Sequence, residues 1–197
     1  MPTVFETLTR QVGGARIVPW LASEFQAEEG GRRFSFRLRP DVRFHDGRRL
    51  TSRDVRYSFE RLLQNENNQA RWFFSSIRGA EALINGKTRE LEGFRIRSAS
   101  EFFIDLDQPL SFFPAILAFP AASILPEGTD QVGGSWRDGC IGTGPFSVLH
   151  FEPNRRLVCA HADLLRVHMI GQTFSRIEFL FLCSRAFYFT RKRKSQP

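Results

Sequence analysis

Few residues in this sequence have the types and spacing that chemistry requires, and histidines provide the first candidates. His45 and Asp46 are adjacent, as a general base and its orienting carboxylate would be. They fall on a predicted hairpin turn, where such a pair is ordinarily solvated, and no serine or cysteine stands in a nucleophile-elbow pattern. His150, His161 and His168 are separated by 11 and 7 residues, which matches no known metal-ligand spacing. The pattern therefore predicts no catalytic residue, no metal site and no enzymatic activity.

The glycine-rich segment 142–144 and the cysteines give no cofactor signal either. The segment is too short for a phosphate loop and lacks a lysine, so we interpret it as a backbone crossing point between two lobes, where its glycines serve the geometry. Cys140, Cys159 and Cys183 leave an odd thiol, and none of them stands in a CxxC spacing. We expect no bound cofactor.

Trp72 is the residue whose type and position most favour ligand binding. It stands at the start of a helix predicted over residues 71–84, where a large aromatic ring can offer a ligand an apolar wall. The same residue could equally be a core tryptophan, and the sequence leaves both interpretations open. Trp20 and Trp136 have no comparable position, and we interpret them as structural.

The composition is that of a globular chain with large aromatic layers. Of 197 residues, 42% are hydrophobic, and 21 phenylalanines stand against two tyrosines, which is enough apolar material for a core. No run approaches the roughly 18 to 20 apolar residues that span a bilayer, so we expect no direct membrane insertion. The N-terminus has no basic segment followed by an apolar one, and therefore no secretory signal is predicted.

The basic character of the chain does not indicate nucleic acid as a partner. The net charge is +7, and almost all of the positive charge comes from arginines that are spread along the chain. Acids are interleaved with them, as in Arg53-Asp54 and Glu60-Arg61, whereas a nucleic-acid face needs clustered cations. A solvated surface is the favoured interpretation.

Residues 34–63 give the clearest structural signal in the chain. Alternation of Phe34 and Phe36 with polar residues predicts a strand, and Asp46-Gly47 predicts a tight turn. Thr51, three residues before Asp54, resembles a capping box at a helix start. The apolar face of that helix consists of Val55, Phe59, Leu62 and Leu63.

Weaker patterns predict the remaining elements. Residues 1–10 are predicted as an amphipathic helix, ended by two glycines, and residues 112–119 as a buried helix. Residues 127–144 are predicted as a loop. The predicted strands are 94–97, 102–106, 146–151, 156–160 and 177–182, with a turn at Pro153-Asn154.

Taken as an ordered set, several short motifs resemble the family 5 extracellular solute-binding proteins, the peptide-, dipeptide- and nickel-binding receptors of ABC importers. The motifs lie at residues 5–8, 18–22, 36–39, 42–44, 46–47, 50–51, 54–55, 107–109, 124–126 and 141–146. The resemblance implies a mixed α/β architecture, namely part of the first lobe of a type II periplasmic-binding fold with its inserted subdomain. It divides the chain into residues 1–20 (start of lobe I), 21–143 (inserted subdomain), 144–182 (return into lobe I) and 183–197 (a basic, frayed tail).

The resemblance also implies a function and a site. The site would include Trp72, where similar nickel-binding receptors place a pocket tryptophan, and Phe119, Pro120, Ala121 and Ala122, which match a segment near the cleft. This chain has no arginine in that segment, so a peptide-like ligand suits it better than a nickel chelate. The expected partners are a short peptide or similar solute and, in full-length relatives, an ABC permease.

Two roles remain open at this stage. One is a solute-binding domain of a transport system in the periplasm or outside the cytoplasm, truncated at both ends relative to the family and weak or inactive alone. The other is a sensing module of the same fold attached to a cytoplasmic regulator or kinase, which would account for the lack of a predicted secretory signal. Neither role includes a catalytic step.

Overall fold

The computed structural model describes residues 4–129, 141–152, 156–161, 176–182 and 186–191. These residues form three α-helices, ten strands and three short 3-10 helices. The α-helices are α1 (Ser52–Gln64), α2 (Ala80–Ile84) and α3 (Phe113–Ile116). The strands are β1 (Thr9–Val12), β2 (Arg16–Pro19), β3 (Ala22–Glu28), β4 (Arg33–Leu38), β5 (Phe94–Ile96), β6 (Glu101–Asp105), β7 (Phe146–Glu152), β8 (Arg156–His161), β9 (Arg176–Leu182) and β10 (Ala186–Arg191). The 3-10 helices are Glu29–Gly31, Gln69–Phe74 and Pro120–Ala122.

The strands form three antiparallel sheets. β1 and β2 make a two-stranded hairpin, and β3, β4, β6 and β5 make a four-stranded sheet in that order. β7, β8, β9 and β10 make a second four-stranded sheet in chain order. The predicted strands 94–97, 102–106, 146–151, 156–160 and 177–182 are confirmed within one or two residues. The predicted turn at Pro153-Asn154 lies outside the described residues.

A layer of phenylalanines joins α1 to the β3–β4–β6–β5 sheet. Phe36 pairs with Phe25 on one side and with Phe102 on the other, so three strands contribute to one face. The rings of Phe36 and Phe102 stack with their centroids 5.2 Å apart, and the rings of Phe94 and Phe102 stack with their centroids 4.8 Å apart. The ring centroid of Phe59 on α1 lies 6.3 Å from that of Phe94, and both residues belong to the main core. The many phenylalanines therefore fill a layer between helix and sheet, as their number predicted.

Helix α1 begins as its sequence predicted. The backbone N–H and the hydroxyl of Thr51 both donate to Asp54 Oδ2, at 2.8 and 2.6 Å. Asp54 Oδ1 accepts from the backbone N–H of Glu127 at 2.8 Å, so the same carboxylate also fixes a distant segment. The capping box is therefore confirmed, and its acid has a second structural role that the sequence did not indicate.

Replacing Asp54 with alanine is expected to destabilise the protein by about 2 kcal/mol, at the upper end of the range for a lost helix cap. The reason is that Asp54 is buried and its loss leaves two backbone N–H groups without an acceptor. Urea unfolding followed by tryptophan fluorescence measures the change. Asp54→Asn keeps one acceptor oxygen, so its free energy of unfolding should fall by less than that of Asp54→Ala. Equal decreases in both variants would contradict this explanation.

The predicted amphipathic helix over residues 1–10 is wrong for the residues that the structure describes. Residues 4–8 form no helix, and β1 follows directly at Thr9. Val4 and Leu8 are buried and Phe5 is partly buried, but the backbone makes long-range bonds: Ile124 N–H donates to Glu6 O, and Gly144 N–H donates to Val4 O, both at 2.9 Å. Pairing with distant segments outweighs the local helical pattern here.

The helix predicted over residues 71–84 is also wrong as one element. The structure has a 3-10 helix at Gln69–Phe74 and then the five-residue α2, separated by Gly79 in a left-handed conformation with φ of 76°. Between them Arg78 N–H donates to Asp105 O and Arg78 O accepts from Gly93 N–H, both at 2.9 Å. These bonds tie the segment to the sheet and interrupt the helix. The buried helix predicted over residues 112–119 is confirmed only for its central turn, Phe113–Ile116.

The predicted loop at 127–144 and the predicted tail at 183–197 are each described only in part. The predicted loop 127–144 has no helix or strand in residues 127–129 and 141–144, and residues 130–140 lie outside the described residues. Within the predicted frayed tail, residues 186–191 form strand β10, which pairs with β9. This part of the tail has strand structure, contrary to the sequence expectation. The division of the chain at residues 20, 143 and 182 stays a prediction.

Candidate functional site

Trp72 lies on the 3-10 helix Gln69–Phe74, which its flanking residues hold in place. Asn68 caps the start of this helix, since its side-chain oxygen accepts from the Ala70 N–H at 3.0 Å. At the other end the Ser75 hydroxyl donates to Trp72 O at 2.7 Å. The Trp72 side chain is 64% exposed, so Trp72 is not a core tryptophan. The backbone is fixed and the ring faces outward.

The exposed ring of Trp72 belongs to a stacked group of three aromatic side chains. Trp72 stacks on Phe73 with ring centroids 3.7 Å apart, and Phe73 stacks on Phe119 at 5.3 Å. Phe73 also packs against the main core, whereas Phe119 is 48% exposed. We call Trp72, Phe73 and Phe119 the aromatic surface. Exposed aromatic groups that are held on a packed core are typical of binding surfaces.

Two of the predicted site residues lie close together on the surface, and one is buried in the core. Trp72 and Phe119, predicted from different segments, meet through Phe73, which the sequence interpretation did not select. Pro120 is exposed beside Phe119, and Ala121 is partly buried. Ala122 is buried in the core, so its side chain does not face solvent. The signal that could have identified Phe73 was its place beside Trp72 in a run of three aromatic residues.

His45 has a structural role at the glycine crossing. Its ring Nδ1 accepts from the Gly142 N–H at 3.2 Å, and its Nε2 lies 2.8 Å from Gly144 O. Its own backbone N–H donates to Gly142 O at 2.9 Å. The carboxylate of Asp46 instead accepts from the Arg48 backbone at 2.9 Å and stabilises the turn. His45 therefore fixes the crossing segment through both ring nitrogens, and the two neighbours do not act as a catalytic pair.

Two arginines, Arg33 in the sheet and Arg56 on α1, have a raised pKa. A hydrogen bond to Asp105 raises the pKa of the Arg33 guanidinium above its ordinary value. Partial burial lowers the pKa of Arg56, but hydrogen bonds to Glu60 and Glu90 raise it by more, so the net pKa is raised. Both arginines stay charged wherever the protein is folded. These are structural ion pairs, and neither group supplies a proton donor or acceptor for chemistry.

The part of the chain that the structure describes has no group of three or more histidine, cysteine, aspartate or glutamate side chains that could hold a metal ion. His150 and His161 lie on the neighbouring strands β7 and β8, but His150 pairs with Val158 and His161 with Phe146. His168 lies outside the described residues. In the described ranges no helix is both long and apolar enough to cross a membrane.

The fold and its relatives place the chain in the class of substrate-binding proteins. The chain belongs to the bacterial extracellular solute-binding proteins of family 5, because the model described as family 5 Middle matches residues 16–163. The resemblance predicted from the sequence motifs is thereby confirmed. The mixed α/β fold class is confirmed as well, since the solved structures that match are periplasmic binding proteins of which this chain covers only a part.

Individual relatives agree with the family assignment. The periplasmic murein peptide-binding protein MppA of Escherichia coli is 29% identical over 161 residues, which is 79% of this chain and 30% of MppA. In its unliganded open form MppA superimposes with a TM-score of 0.73 at 28% identity, over 81% of this chain and 32% of the MppA chain. YhjP of Bacillus subtilis is 32% identical over 150 residues, which is 73% of this chain and 22% of YhjP. The chain thus spans less than a third of the length of these relatives.

Proposed function

We propose that this chain is a peptide-binding unit of an ABC-type transport system and that the aromatic surface forms one wall of the ligand site. The observation that carries the proposal is the stacked arrangement of Trp72, Phe73 and Phe119, with Trp72 64% exposed. A tryptophan that already stacks on a neighbouring ring loses little conformational freedom when a ligand covers it. Such a surface suits an apolar or aromatic side chain of a short peptide.

The proposal extends to the exposed residue next to the surface. Pro120 follows Phe119 and begins a 3-10 helix whose Ala122 is buried, so Phe119 and Pro120 are presented on a fixed base. Ala121 is partly buried and packs against the main core, and Ala122 lies within that core. The four residues predicted around position 120 thus divide into ligand-facing and supporting groups.

The kind of ligand is proposed from the relatives. MppA is described as a murein peptide-binding protein, and OppA of Bacillus subtilis, 24% identical over 152 residues, as an oligopeptide-binding protein. We propose a short peptide for this chain too, with binding as its whole activity and no catalytic step. The ABC permease is the proposed partner, and the periplasm or the outer face of the cell is the proposed location. The relatives are named as binding proteins, which favours this role over the sensing module.

Truncation of Trp72 tests the proposal. Urea unfolding of the chain is followed by tryptophan fluorescence with and without a mixed pool of di- and tripeptides, and binding peptides are then measured singly by calorimetry. A peptide that binds the native state moves the transition to higher urea. Trp72→Ala is expected to weaken binding about tenfold, which corresponds to about 1.4 kcal/mol and is typical of one lost aromatic contact. Trp72→Phe should retain most of the affinity.

The control is Phe112→Ala, which removes another exposed aromatic side chain that lies before α3. It is expected to leave the affinity unchanged. If no peptide shifts the transition, the chain does not bind peptides and the proposal fails. If Trp72→Ala and Phe112→Ala weaken binding equally, peptides bind but the aromatic surface is not their site.

A further inference from the structure

The face of the β3–β4–β6–β5 sheet that points away from α1 carries an open cavity of about 310 Å³. Its lining residues are Arg33, Arg95, Ile96, Arg97 and Phe103. Phe103 stands between Phe102 and Ile104, which are buried in the core, so its side chain lies on the opposite face of the strand. Its cross-strand neighbours are Ser35 and Arg95. The cavity therefore combines one aromatic wall with three guanidinium groups.

The three arginines of this cavity differ in how closely acidic groups pair with them. Arg33 makes two hydrogen bonds to Asp105, at 2.6 and 3.3 Å, and Arg95 Nε lies 3.0 Å from the same carboxylate. Arg78 approaches it as well, at 3.9 Å. Asp105 is only 1% exposed and does not line the cavity. Arg33 engages Asp105 through Nε and Nη2 and Glu29 through Nη1, so its guanidinium is fully paired. Arg95 shares Asp105 with Arg33 and contacts it through Nε.

Arg97 has the longest ion pair of the three. Its Nε lies 3.8 Å from Glu101, whose other oxygen is held by Arg37 at 2.9 and 3.0 Å, although Arg37 also pairs with Glu24 at 2.9 Å. The Arg95 and Arg97 side chains are 54% and 69% exposed, so most of their donor groups face water. Glu29 pairs with Arg33 but does not line the cavity. The side chains that line the cavity are therefore either positively charged or apolar.

We propose that this cavity binds the phosphate group of a phosphate ester. Guanidinium groups bind phosphate oxygens through paired, charge-assisted hydrogen bonds, and an ester of this kind has an organic part that needs an apolar contact. Phe103 provides that contact beside the arginines. The volume suits a single headgroup or small metabolite, since it lies at the lower end of the range of about 300–1,000 Å³ for ligand pockets. The site is separate from the aromatic surface and does not depend on peptide binding.

Calorimetric titration of the full chain with phenyl phosphate and with inorganic phosphate, at constant ionic strength, tests the proposal. Phenyl phosphate should bind more tightly than inorganic phosphate because its ring can contact Phe103. Each of Arg95→Gln and Arg97→Gln is expected to weaken phenyl phosphate binding about tenfold, as the loss of a charge-assisted hydrogen bond does. Arg53→Gln on α1 is the matched control, because it removes the same charge from an exposed residue on the opposite layer.

A second arm distinguishes the source of the phosphate. The chain is mixed with vesicles of phosphatidylglycerol and with vesicles of phosphatidylcholine, and bound protein is separated by sedimentation. Binding to the anionic vesicles that is lost in Arg95→Gln and Arg97→Gln would support the same site with a lipid headgroup as ligand. Binding of soluble phenyl phosphate alone would support a free phosphate ester. The proposal is overturned if neither probe binds, or if Arg53→Gln weakens binding as much as the two cavity variants.

Discussion

Replacing Gly142 with alanine is expected to cost about 3 kcal/mol or more of the free energy of unfolding, because the added Cβ would overlap backbone atoms. That Cβ would lie well inside van der Waals distance of the Val4 carbonyl oxygen and 3.0 Å from Phe5 Cδ1. Val4 O is fixed at this point, since it accepts from the Gly144 N–H at 2.9 Å. On the other side His45 binds Gly142 through its ring and its backbone. Neither neighbour can move away without losing hydrogen bonds.

Gly13→Ala separates crowding from backbone strain. Gly13 has a φ of 48°, a left-handed conformation that alanine adopts only at a cost, but nothing lies within 4 Å of an added Cβ. We expect Gly13→Ala to cost roughly 1 kcal/mol, the penalty of a single residue in this conformation. Urea unfolding followed by tryptophan fluorescence gives both values. A loss at Gly142 no larger than that at Gly13 would mean that the crossing is loosely packed, contrary to the structure.

The parts of the fold that the sequence predicted well are those whose signals are local. Residues 34–63 contain an alternating strand, a glycine turn and a capping box, and all three appear in the structure as predicted. Two of the elements predicted wrongly depend on distant partners. Residues 4–8 form no helix and bond to Ile124 and Gly144, and the predicted helix over 71–84 is interrupted where Arg78 bonds to the sheet. No local pattern contains that information.

For the candidate site too, the residue types could be predicted from the sequence, but the long-range contacts between them could not. Trp72 was selected from its type and position as well as the family resemblance, and Phe119 through the resemblance alone, but their connection through Phe73 depends on how two segments 47 residues apart pack together. The role of His45 was missed because its ring partners, Gly142 and Gly144, lie about a hundred residues away in the chain. Which residues are aromatic or basic could be read from the sequence, whereas their mutual distances required the fold.

Truncating Phe59 is expected to destabilise the protein by about 3–5 kcal/mol, the range observed when a buried phenylalanine is reduced to alanine. Phe59 is 1% exposed and is the side chain through which α1 reaches the sheet. Its ring lies 5.6 Å from that of Phe74 and 6.3 Å from that of Phe94. Both neighbours belong to other elements and are held by their own packing, so they cannot fill the space that Phe59→Ala creates.

Two further variants determine whether the loss at Phe59 comes from the cavity. Phe112→Ala removes the same side chain from an exposed position and is expected to change the unfolding free energy by no more than about 0.5 kcal/mol. Phe59→Leu keeps most of the volume and should cost about 1.5 kcal/mol. Urea unfolding of all three variants provides the comparison. Equal stability losses in Phe59→Ala and Phe59→Leu would indicate that the ring stacking, and not the filled volume, holds α1 on the sheet. A loss below about 1 kcal/mol in Phe59→Ala would contradict the packing described for this layer, because a rigid core cannot close such a cavity at so small a cost.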